Sequence, residues 1–150
     1  MKFDSVEQIL TFAIGKEQEA ADFYTDLAGK MEGKQMREAF LEFAAEELGH
    51  KKKLEAVVEG KVLLSSEERV VDLKIGESLT EVDAKPDMGF QEALMVAIQN
   101  ETNAYTLYKN LAVATDDSGL KDLFLGLAQE EAKHKLRFEV EYDDFVHQEN

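Results

Sequence analysis

The feature that most constrains this chain is that it contains its own pattern twice. An offset of 84 residues lays Leu10 on Leu94, Ala13 on Ala97, Ile14 on Ile98, Glu17 on Glu101, Ala20 on Ala104, Tyr24 on Tyr108, Leu27 on Leu111 and Ala28 on Ala112. Without any gap it then lays Phe40 on Phe124, Leu41 on Leu125, Ala44 on Ala128, Glu46 on Glu130, Glu47 on Glu131, His50 on His134, Lys51 on Lys135 and Glu55 on Glu139. A repeat of this kind makes each copy one supersecondary unit, and the fold must be built from two of them.

The unit is a pair of helices. Ala, Leu, Glu, Lys and Gln dominate, apolar residues recur three and four apart, and Pro86 is the single proline. Ser5 can cap a first helix with the apolar stripe Ile9, Leu10, Ala13, Ile14, Ala20, Ala21, Tyr24 and Leu27, ending near Gly29 to Gly33. A second stripe runs Met36, Phe40, Phe43, Ala44, Leu48, Leu54 and Val58, with Gly60 as its stop signal. The copy starts near Met88 or Phe90 with Leu94, Ala97, Ile98, Ala104, Tyr105, Tyr108 and Leu111. After Asp116-Asp117-Ser118-Gly119, a fourth helix carries Leu120, Leu123, Phe124, Leu127, Ala128 and Phe138, fading into the polar tail His147 to Asn150.

Short turns within each copy predict two antiparallel hairpins, about 5–60 and 88–146. Either hairpin alone would leave its apolar face wet, so the two are expected to face each other as one all-α four-helix bundle, a single domain over 1–150. Residues 61–87 lose the helical period and read as a crossover. A helix of about 26 residues is roughly 39 Å long, and an extended stretch of this length spans more than twice that. The expected topology is therefore two hairpins joined by one long connection.

Composition narrows the function classes. A hydrophobic fraction of 44% suits a folded core. The chain has no cysteine, which excludes disulfides, thiolate metal sites, iron–sulfur clusters and cysteine nucleophiles. A net charge of -15 would repel a phosphate backbone, so nucleic acid is not an expected partner. Neither a long apolar span nor a basic-then-apolar leader is present, so membrane insertion and export are not expected, and a cytoplasmic location is the default. Most of the acidic excess reads as solvated surface; the informative acids are those on faces that should be buried.

Those acids come with histidines. Glu47-Leu48-Gly49-His50 and Glu131-Ala132-Lys133-His134 are two E-x-x-H motifs at equivalent points of the repeat. On a helix, positions three apart lie roughly 60° apart around the axis and about 4.5 Å apart along it, so both side chains can reach one metal site. Glu17 and Glu101 sit beside apolar positions of the first and third helices, where a lone carboxylate would be unfavourable. One Glu from each of two helices plus Glu-x-x-His from each of the other two is the known ligand arrangement of di-iron and di-manganese carboxylate bundles. The expected metal ligands are Glu17, Glu47, His50, Glu101, Glu131 and His134. Four carboxylates balance two divalent ions, two neutral imidazoles complete the shells, and Glu47 and Glu131 are best placed to bridge. Mixed nitrogen and oxygen donors favour iron or manganese over calcium or magnesium, and the missing thiols argue against a structural zinc site; two iron ions are the expected occupants, with manganese or zinc as substitutes.

A single E-x-x-H in a Glu-rich helix is weak evidence; its duplication, using two of only three histidines, is what makes it specific. Tyr24 and Tyr108, two turns beyond Glu17 and Glu101, either hydrogen-bond a ligand or fill the core. Glu46 and Glu130 point about 100° away from their ligand neighbours and are expected in solvated or interface positions. His147, which follows Asp144 at the same spacing, is expected on the surface.

With these residues the chain resembles the rubrerythrin family, and within it the members made of the ferritin-like di-iron domain alone. The likeness runs from Phe3 to about Asp144 and includes Ala128-Gln129-Glu130-Glu131-Ala132-Lys133-His134-Lys135-Leu136. It implies a ferritin-like four-helix bundle whose six residues bind iron and reduce hydrogen peroxide, in the manner of an oxidoreductase acting against oxidative stress. Full-length members append a four-cysteine rubredoxin-like module; its absence here implies an external electron-donor protein. Members also commonly carry an extra Glu three residues after the third-helix ligand, where this chain has Ala104. The alternative is a ferroxidase or iron-binding role in storage or detoxification, and a third reading is a bundle stabilised by metal with no redox role. A homodimer is the expected assembly, by analogy with paired helical bundles.

Overall fold

In the computed structural model, residues 6–60 and 89–149 are described. They form four helices: α1 (Val6–Gly29), α2 (Lys34–Gly60), α3 (Phe90–Ala114) and α4 (Ser118–Glu149). The predicted crossover 61–87 and the predicted Ser5 cap lie outside the described residues. No helix among the described residues is long and apolar enough to cross a membrane.

The helices form two compact units, α1 with α2 and α3 with α4. In the first unit the chain turns at once: Lys30 N–H donates to Leu27 O at 3.0 Å and Met31 N–H to Ala28 O at 3.2 Å, tightening the end of α1. The register is antiparallel. Tyr24, late in α1, meets Phe40, early in α2, with ring centroids 6.5 Å apart, while Gln18 meets Lys51 further down. Tyr24, Phe40 and Phe43 close an aromatic cluster at the turn end, with Phe43 lying 6.3 Å from Tyr24 and 6.4 Å from Phe40 in edge geometries. The inner stripe of α1 (Ile9, Leu10, Ala13, Ala21, Tyr24, Leu27, Ala28) is fully buried, as its spacing demands.

The second unit repeats the plan with a different turn. Thr115 ends α3, and Asp117 starts α4: its Oδ1 accepts from Leu120 N–H at 2.9 Å, the side-chain cap of a helix N-terminus. The sequence reading placed Asp116 to Gly119 in the turn; the cap draws Ser118 and Gly119 into the helix. At the open end Phe90 meets Phe145 at 5.3 Å and Gln91 Nε2 donates to Tyr142 Oη at 3.2 Å, so α4 stays helical where a fading tail was expected. His147 is exposed, with Nδ1 2.8 Å from Asp143 O.

Three stripe positions differ from expectation. Leu48 is 39% and Tyr105 is 36% exposed, and Val57 rather than Val58 is the fully buried valine. The inner face of α2 is centred on Phe40, Ala44, Glu47, His50, Leu54 and Val57. Leu48 follows Glu47 by one residue and is carried about 100° around the helix, off that face.

Candidate metal centre

Polar residues interrupt the apolar face of every helix. Glu17 in α1, Glu47 and His50 in α2, Glu101 in α3, and Glu131 and His134 in α4 are each only 1–2% exposed. Carboxylates at this depth are rare unless paired or ligating. All six are the residues singled out by the repeat.

Within the first unit, antiparallel packing brings Glu17 of α1 against the E-x-x-H turn of α2. His50 Nδ1 lies 3.5 Å from Glu17 Oε2 and 3.6 Å from Glu47 Oε1. The second unit repeats this, with His134 Nδ1 3.7 Å from Glu101 Oε1 and 3.9 Å from Glu131 Oε1. In each triad the ligand atoms lie within 4.8 Å of one another. The facing atoms are within ion-pair range yet outside hydrogen-bonding geometry. Such a spacing suits donors arranged around a cation better than donors bonded to each other.

The donor chemistry fits a metal. Each triad offers two carboxylates, whose charges balance one divalent ion, and one imidazole that adds a nitrogen donor without adding charge. Oxygen with nitrogen and no sulfur suits iron, manganese or zinc. In both triads Nδ1 is the nitrogen turned to the carboxylates.

The remaining candidates separate clearly. Tyr24 and Tyr108 are 1% exposed; the Tyr24 ring belongs to the aromatic cluster at the turn. Glu46 is exposed and Glu130 half-buried. One feature beside the site was missed by motif reading. Lys51 Nζ donates to Gln18 Oε1 at 2.8 Å, a half-buried bond from α2 to α1 between the residues that follow His50 and Glu17. Lys51 was visible as a repeated position, whereas Gln18 carries no motif and only packing pairs the two.

A family model described as Rubrerythrin matches residues 8–86 and 92–150. A solved structure from Thermotoga maritima, provisionally described as a ferritin-like diiron-carboxylate protein, is 24% identical. The match covers 95% of this chain and 95% of that one, with a TM-score of 0.77. At that identity the likeness shows the fold: the chain has the ferritin-like, all-α four-helix fold. No curated protein sequence matches the chain.

Proposed function

The chain belongs to the rubrerythrin family, and from that membership we propose that its two Glu, Glu, His triads together serve a two-iron centre that reduces hydrogen peroxide or dioxygen, with electrons from an external donor protein. The observation that carries the reading is the donor set: two carboxylates and one imidazole, buried to 1–2%, with ligand atoms within 4.8 Å in each hairpin. Glu17, Glu47 and His50 would ligate iron in the first hairpin, and Glu101, Glu131 and His134 in the second.

When bound, a pair of iron ions would supply electrons and Lewis acidity for breaking an oxygen–oxygen bond. The chain's own residues do the rest. The four carboxylates would offset the cationic charge at a depth where water cannot. The imidazoles turn Nδ1 to the carboxylates, and from there each would offer the metal a neutral nitrogen donor. Reducing one peroxide to two waters consumes two electrons and two protons. The external donor would restore those two electrons after each turnover.

Purified protein is expected to bind about two iron ions per chain, and Glu47→Ala and His134→Ala each to lower that number. Ferrous protein mixed anaerobically with stoichiometric peroxide should oxidise much faster than free ferrous ion, watched by absorbance in a stopped-flow instrument. Equal rates would remove the peroxide-reducing reading. A cage-sized assembly accumulating iron far beyond two per chain would replace it with storage.

A further inference from the structure

The two hairpins repeat the ligands but not what stands beside them. Next to Glu17 and His50, Lys51 Nζ donates to Gln18 Oε1 at 2.8 Å and ties α2 to α1. The 84-residue offset carries Lys51 onto Lys135 and Gln18 onto Thr102. Thr102 has a shorter side chain, and its hydroxyl turns back along its own helix to the Ile98 carbonyl at 2.8 Å. The second hairpin therefore has the lysine without the acceptor.

The consequence lies in how far each triad is drawn together before an ion arrives. A bond joining the residues immediately after two ligands holds both helices in register at the level of the site. Ligands held in place by such neighbours bind metal more tightly, because less ordering remains to be done on binding.

We propose that the Gln18–Lys51 bond makes the two metal positions unequal: the Glu17, Glu47, His50 triad fills first and releases last, and the Glu101, Glu131, His134 triad holds the labile ion. This rests on the reading that both triads bind metal. Lys51 and Gln18 are positioning residues, acting on the ion through Glu17 and His50.

The test is anaerobic loading of the full chain with ferrous ion, then titration with a competing chelator, counting ions per chain by native mass spectrometry. Stepwise loss alone does not decide the matter, since two equal sites also empty in two statistical steps. The variants decide it. Lys51→Met should weaken the last-released ion about tenfold and draw the two steps together, while Lys51→Arg, which keeps a donor, should restore the separation. Thr102→Gln, which supplies Lys135 with the missing acceptor, should tighten the first-released ion by a similar factor. His134→Ala should leave a chain that keeps the tight ion, and His50→Ala one that keeps only the weak one.

The proposal is overturned if Lys51→Met and Thr102→Gln leave both release constants unchanged, or if His50→Ala retains the tighter ion. A wild-type chain binding fewer than two ions removes the two-metal reading itself, an outcome distinct from two ions bound with no dependence on Lys51. Circular dichroism of each variant confirms that the helices persist.

Discussion

Replacing Glu101 by Gln should change stability in opposite directions with and without metal. The substitution keeps the shape of the side chain and removes one negative charge. Glu101 is 2% exposed, and its ligand atoms lie within 4.8 Å of those of Glu131. Two like charges about 4.8 Å apart repel by about 3.5 kcal/mol at an effective dielectric of about 20. Losing the carboxylate that faces His134 Nδ1 at 3.7 Å would offset part of that, so the metal-free variant should be more stable than metal-free wild type by about 1–3 kcal/mol, or roughly 2–4 °C in Tm for each kcal/mol. With metal the order inverts. An ion present at about 1,000 times its Kd stabilises the wild type by about 4.1 kcal/mol, and Glu101→Gln forfeits more of this than it gained without metal, by losing a ligand and half of the balancing charge. Thermal unfolding followed at 222 nm, with chelator and with a large excess of ferrous ion under anaerobic conditions, measures both orders. A metal-free variant less stable than metal-free wild type would refute the argument that the carboxylates repel. An unchanged melting point in the loaded state would refute ligation by Glu101.

Three further outcomes follow from the packing, each measured by denaturant unfolding of the metal-free chain. Phe40→Ala should cost about 3–5 kcal/mol, because the ring is 0% exposed and packs against Tyr24 and Phe43; a loss under 1 kcal/mol would mean that the cluster does not form. Asp117→Ala should cost about 1 kcal/mol by removing the acceptor for Leu120 N–H, whereas Asp117→Asn should be close to neutral. Gly126→Ala should stabilise by about 0.8–1 kcal/mol, since an added Cβ meets nothing within 4 Å in the interior of α4.

Much of this protein was legible in its residues alone, and the reason is locality. A helix is a pattern three and four residues apart, so Ile9, Leu10, Ala13 and Leu27 announce a buried stripe without a partner in view. A duplicated E-x-x-H is a local motif whose recurrence, aligned with Glu17 and Glu101, marked six ligand candidates that are all buried. Capping was harder: Asp117, not the end of a four-residue turn, starts α4, because its side chain competes for a backbone N–H that composition does not reveal.

What only the tertiary structure decided is which side chains from different helices meet. Leu48 and Tyr105 have the spacing of a core and face outward, since the inner surface of each helix is chosen by its partner. The bond between Lys51 and Gln18 joins residues 33 apart, and nothing in either residue's neighbourhood singles out the other. Periodicity is written along one helix; register between two antiparallel helices is set by how their side chains fill the space between them, and that exists only once the chain has folded.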